Sequence, residues 1–174
     1  GLLFPWLGFY WDDYHFAWIS AQYGSAGLER YFSTNRPVWG VIYQLTTALL
    51  GQTPWHWQLF ALFWRWLGGL GLWLTLGRLW PQHRFLAISS ALLFVIYPGF
   101  GQQSGALMYS HFFIVLAALL FSFYFGLRAL QARPGTGRMG WLAAALVTAL
   151  FNLLCMEYFF LLELLRPVLY GLAL

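Results

Sequence analysis

An all-α, polytopic membrane bundle is the fold class this sequence predicts, and three observations predict it. Apolar residues make up 61% of the chain, charged residues 8%, and mean hydropathy is +0.65, whereas a soluble domain carries about a quarter charged residues. Apolar runs of near-spanning length recur along the chain, against the about 20 residues a membrane helix needs. Aromatic residues reach 22%, and Trp6, Trp11, Trp55, Trp57, Trp80 and Trp141 sit at the ends of apolar runs, where an amphipathic ring gains from the headgroup layer.

The elements follow in order. Residues 1–11 read as the end of a first span or a membrane-adjacent segment, and 12–56 as an outer loop with juxtamembrane helices. Spanning helices are expected at 57–77, 82–97, 105–127 and 139–165. Trp80-Pro81, Tyr97-Pro98-Gly99, the stretch Arg133 to Gly137, and Arg166-Pro167 punctuate them, because proline and glycine interrupt helices. With no initiator Met and no terminal signature, the chain is expected to be an internal fragment of a larger protein.

Arginine orients the bundle. All nine basic residues are Arg, and they are scattered rather than gathered on one face, which argues against nucleic acid as a partner. The connection Arg78 to Arg84 carries two and Arg128 to Arg138 carries three, whereas Gly51 to His56 and Pro98 to Ser104 carry none. Positive charge favours the cytoplasmic side, so the latter pair faces outward. Asp12 to Arg36 sets Asp12, Asp13 and Glu29 against Arg30 and Arg36, net −1, as suits an outer loop.

Pro37 to Leu50 is too short to span. At helical spacing Val38, Ile42, Leu45 and Leu49 form an apolar stripe opposite Gly40, Gln44 and Thr47, which predicts an amphipathic helix lying in the interface or re-entering it.

The densest polar cluster is Trp11-Asp12-Asp13-Tyr14-His15. Adjacent carboxylates at a membrane surface can act as a base or hold a divalent cation; equally, one of them can cap a helix starting near Tyr14. Arg65 and Glu157 lie inside apolar runs, where a charge needs a partner or water. Counted along continuous helices, both sit about 13 Å deep, so they are expected to pair or to line one cavity. Glu163 and Arg166, three residues apart, predict a local ion pair. Tyr109-Ser110-His111 forms a second polar inlet, in which His111 is either a base or a structural residue. Cys155 stands alone, and His15, His56 and His83 lack metal-ligand spacing, so no metal is assigned. Gly68, Gly69 and Gly71 predict close helix packing.

The acidic pair after an apolar stretch, an amphipathic loop with Arg36-Pro37 and Leu50-Gly51, and Arg65 in the next helix resemble the type C glycosyltransferases. That superfamily includes protein O-mannosyltransferases and aminoarabinose transferases of lipid A. The segment Glu157-Tyr158-Phe159 through Leu164-Leu165-Arg166-Pro167 is similar to bacterial members. The resemblance implies a sugar transferred from a polyprenyl-phosphate donor to an acceptor outside the cytoplasmic (inner) membrane. Asp12 or Asp13 would be the catalytic base, and Arg36 and Arg65 would bind the lipid phosphate. Glu157, His111 and Tyr109 would stand near the substrate. The family often has a further carboxylate where this chain reads Tyr109-Ser110-His111-Phe112, a departure that weakens a two-carboxylate or metal mechanism. Two other classes stand beside this one: a transporter or flippase using Arg65 and Glu157 in its pathway, and a non-catalytic assembly subunit surrounded by membrane lipids.

Overall fold

The computed structural model describes residues 3–97 and 104–174. Its elements are all helical: α1 Asp12–Tyr23, α2 Ser25–Phe32, α3 Pro37–Leu50, α4 Pro54–Leu79, α5 Arg84–Ile96, α6 Ala106–Gln131, α7 Thr136–Cys155 and α8 Leu165–Ala173, with 3₁₀ turns at Phe4–Trp6 and Glu157–Leu164. Helices α4, α6 and α7 are long and apolar enough to cross a membrane. The four expected spans therefore become three. With 13 residues, α5 reaches about 20 Å, short of the roughly 30 Å hydrocarbon core. In the N-terminal segment, expected as the end of a first span or a membrane-adjacent stretch, the helical part among the described residues is Phe4–Trp6. Of the expected outer connection at 98–104, only Ser104 is described.

The chain divides into two units. The first contains α1 to α3, α4 as far as Arg65 and α6 as far as Ile114. Its core is aromatic: Phe32 stacks on Tyr43 at 5.1 Å, Phe16 tilts against Tyr43 at 5.5 Å, and Tyr43 stacks on His111 at 3.6 Å between ring centres. Gly40 admits α2 to α3, since a Cβ there would meet the Glu29 carbonyl oxygen at 2.8 Å. The starts of α4 and α6 lie side by side: the buried Gln58 amide donates to the Ser104 carbonyl at 2.9 Å. Both helices thus start at the same end, as the arginine pattern predicts.

Helix α3 has the expected bounds, with Pro37 at its first turn and Gly51 at its C-cap with φ 66°, the two ends these residues favour. Its packed face is Trp39, Gly40, Tyr43, Thr46 and Thr47, while Leu45 and Leu49 are exposed. Of the apolar stripe, Val38 and Ile42 are half-buried and Leu45 and Leu49 are exposed, so its C-terminal half is left open to an apolar surrounding.

The second unit contains the rest of α4 and α6 with α5, α7 and α8. Gly69 packs against Val95, and a Cβ on Gly71 would meet Leu120 at 3.1 Å, so these glycines serve close helix packing. Thr75 donates to the Gly71 carbonyl at 2.8 Å, satisfying its hydroxyl within the bundle. The expected span 139–165 is broken: α7 ends at Cys155, and Met156 is extended, with φ −157° and ψ 129°. A continuous helix would separate Asn152 from Glu163 by about 16 Å, yet their side chains meet at 3.3 Å. The chain therefore turns back at Met156.

A polar cluster holds this reversal. Arg166 donates to both carboxylate oxygens of Glu163, at 2.7 and 3.0 Å, to the Ser122 hydroxyl at 2.8 Å, to the Ser122 carbonyl at 3.4 Å, and to the Tyr170 hydroxyl at 3.0 Å. All five guanidinium donors are in use, so the expected Glu163–Arg166 ion pair is a structural clamp. Gly126 faces Tyr170, whose hydroxyl fills the space a Cβ would take.

Candidate functional site at the start of helix α1

The site begins with a turn. The Asp13 amide donates to the Tyr10 carbonyl at 3.0 Å, and between them Trp11 has φ 52° and ψ −123°. These are the angles of the first central residue of a type II′ turn, a position glycine ordinarily occupies. Trp11 is the one non-glycine residue with positive φ among the described residues. It is also 79% exposed, so burial of the ring does not offset the backbone strain.

Asp12 and Asp13 follow as the first two residues of α1, pointing about 100° apart around its axis. Asp12 is exposed. Asp13 lies on the inward face with Phe16, Ile19 and Ser20 and is fully buried. Neither side chain caps α1, which corrects one of the two expectations for the pair. Instead the Asp13 carboxylate caps a different helix: Oδ1 accepts from the Met108 amide at 2.8 Å and Oδ2 from the Leu107 amide at 3.1 Å. These belong to the first turn of α6, whose amides lack partners of their own, and the positive end of the helix favours an anion there. Burial nevertheless dominates, raising the Asp13 pKa from 3.8 to about 6 while the amide hydrogen bonds pull it down.

The turn and the two helix starts enclose a pocket of about 290 Å³, walled by Tyr10, Trp11, Asp12, Asp13, Met108 and Tyr109 and closed by residues 104–105. Three expected site residues, Asp12, Asp13 and Tyr109, thus come together although the first and the last are 97 residues apart. Asp12 supplies the accessible carboxylate and Asp13 fixes the wall opposite.

The other expected residues lie elsewhere. Arg36 is half-buried at the start of α3, its guanidinium 6.0 Å from the Trp39 ring centre. Arg65 is buried in α4, 5.9 Å from the centre of Phe113. His111 is buried, its Nδ1 3.0 Å from the Leu107 carbonyl and its Nε2 3.0 Å from the Thr46 hydroxyl. With Nδ1 donating and Nε2 accepting, the neutral ring is satisfied, and His111 is not a wall of the pocket. Glu157 is exposed and lies just beyond the reversal at Met156. Its expected depth along an unbroken helix is therefore corrected.

Tyr10 and Trp11 also wall the pocket; the sequence marks Trp11 as a membrane-edge ring beside the acidic pair and carries no signal for Tyr10. No proline or glycine at residues 10–13 signals the turn. A divalent cation seeks six or more oxygen ligands. Both Asp13 oxygens are engaged by α6, and among the described residues no three of His, Cys, Asp and Glu gather into a metal-binding group. The donor set does not fit a cation, and no chemistry is routed through one. No protein-family model, curated protein or solved structure matches the chain.

Proposed function

We propose that this chain is the site-bearing part of a membrane glycosyltransferase of the type C kind. It would move a sugar from a polyprenyl-phosphate donor to an acceptor on the extracytoplasmic side of a bacterial inner membrane. The observation that carries the reading is the aromatic-walled pocket at the common end of α4 and α6, where Asp12 stands accessible beside a fully buried Asp13.

In this mechanism Asp12 takes the proton of an acceptor hydroxyl as that oxygen bonds to the anomeric carbon. The bond from that carbon to the phosphate oxygen breaks, and the polyprenyl phosphate leaves with the electron pair. The resemblance would give the departing phosphate to Arg36 and Arg65, for which a planar guanidinium is suited, but neither walls the pocket, so the proposed step rests on Asp12 alone. Asp13 is the positioning residue that ties α1 to α6.

The test uses the full-length protein in lipid vesicles with a radiolabelled polyprenyl-phosphate sugar. Asp12→Asn is expected to lower transfer by about 100-fold or more, the scale of a lost general base. Unchanged transfer would remove Asp12 from the chemistry. Flux of the lipid-linked sugar across the membrane without transfer would favour the transporter reading.

A further inference from the structure

A second pocket, separate in its walls from the first, lies between α1 and α2. Its volume is about 420 Å³, and Trp18, Ile19, Tyr23, Gly27, Arg30 and Tyr31 form most of its wall. Cavities of about 300–1,000 Å³ are the size that holds small ligands.

Its depth follows from two contacts. The Ser20 hydroxyl of α1 accepts from the Gln52 amide at 2.6 Å, two residues before α4 begins. Asp13 of α1 holds the first turn of α6. Helix α1 therefore lies across the starting ends of two helices long enough to span, and α2 returns beside it after Gly24. With α4 and α6 crossing a bilayer, for which both are long and apolar enough, a pair of helices so placed would lie at the headgroup layer, where lipid phosphates are.

The wall has the chemistry of that layer. Trp18, Tyr23 and Tyr31 are 55%, 65% and 48% exposed, although α1 and α2 do not span. Amphipathic rings of this kind settle at the membrane interface. Arg30 is the one charged residue of the wall, and its guanidinium makes no hydrogen bond or ion pair among the described residues. This contrasts with Arg166, whose donors are all used. Gly27 lets the helices approach, since a Cβ there would meet the Tyr23 Cβ at 2.7 Å. A single cation among aromatic rings matches a lipid headgroup of one net negative charge; a phosphatidylcholine headgroup has the same phosphodiester but carries its own choline cation beside it. An acidic peptide would call for several cations.

We propose that the α1–α2 pocket binds the headgroup phosphate of an anionic phospholipid, with Arg30 as the phosphate ligand and Trp18, Tyr23 and Tyr31 as its interfacial cradle. The proposal does not depend on glycosyl transfer, and its test has no enzymatic readout.

The full-length protein is reconstituted into phosphatidylcholine vesicles, with phosphatidylglycerol as the anionic lipid, and acyl-brominated forms of each lipid are used in turn to quench tryptophan. Subtracting the signal of Trp18→Phe isolates Trp18. In the wild type, brominated phosphatidylglycerol quenches Trp18 more than brominated phosphatidylcholine at equal mole fraction. Arg30→Gln brings that ratio to one while overall quenching persists, and Arg30→Lys retains part of the preference. Equal quenching by the two lipids in the wild type would overturn the site, as would an undiminished preference in Arg30→Gln. Loss of the preference when inorganic phosphate is added would assign the pocket to a soluble anion and overturn the lipid site as well.

Discussion

Asp13 and Met108 are 95 residues apart in the chain and 2.8 Å apart in space, the carboxylate of α1 accepting the backbone amide of α6. With the parallel bond from Leu107, this is a helix cap supplied by another helix. Asp13→Ala would leave two first-turn amides without that acceptor. A cost of about 2 kcal/mol is expected, from a lost cap and buried donors. Asp13→Asn keeps one acceptor oxygen and, compared below about pH 4 where Asp13 itself is neutral, is expected to cost about half as much. Thermal midpoints of the detergent-solubilised full-length protein measure both. Hydrogen exchange should quicken at 107 and 108 before it changes elsewhere in α6.

The same carboxylate makes stability depend on pH. Its folded pKa is raised from 3.8 to about 6, chiefly because burial disfavours the charge. The folded state therefore holds the proton more tightly than the unfolded chain does. Asp13's contribution is fully present below about pH 4 and is lost as pH rises through about 6, by about 3 kcal/mol across the window. Thermal midpoints should fall over this window in the wild type, and Asp13→Asn should remove that component of the slope. An identical slope in Asp13→Asn would show that other groups set it.

A third prediction concerns the clamp on the chain reversal. The Tyr170 hydroxyl occupies the place of a Cβ on Gly126 while receiving a hydrogen bond from Arg166. Gly126→Ala must push Tyr170 aside, at a cost of about 1–3 kcal/mol for overpacking. Tyr170→Ala removes the obstacle and one Arg166 acceptor. The double variant should therefore be less destabilised than the two single costs added together, as expected of residues in direct contact. Strict additivity in thermal unfolding would mean that the two do not touch.

What the sequence made legible is what local physics decides. Hydropathy located α4, α6 and α7, and a proline at one end and a glycine at the other set α3 to its residue bounds. The acidic cluster marked the first pocket, and Glu163–Arg166 had helical spacing. The reversal at Met156 was hidden because Cys155-Met156-Glu157 contains no helix breaker, and its support comes from Ser122 and Tyr170. The distinction between Asp12 and Asp13 was hidden for a related reason. Adjacent carboxylates look equivalent until α6 arrives to bury one of them. The partners of His111 are likewise tertiary, since Thr46 is 65 residues away.

Trp11 allows the pocket and the fold to be tested against each other. Its backbone is in a glycine-favouring conformation, with φ 52° and ψ −123°, a strain that costs about 1–3 kcal/mol. The ring is 79% exposed and lines the pocket, so its value lies in what enters there. Trp11→Gly relieves the strain and removes the ring, while Trp11→Ala removes the ring and keeps the strain. After the entropy that glycine adds to the unfolded chain, Trp11→Gly should be more stable than Trp11→Ala by about 1 kcal/mol. The sugar transfer proposed for this pocket should fall alike in both, by about 10-fold or more, the scale of a lost aromatic contact in a binding site. Opposite movement of stability at equal loss of transfer separates the ring's role from the backbone's. If Trp11→Gly were the less stable variant, the turn would not be strained at this position, and the pocket would lose its argument from Trp11.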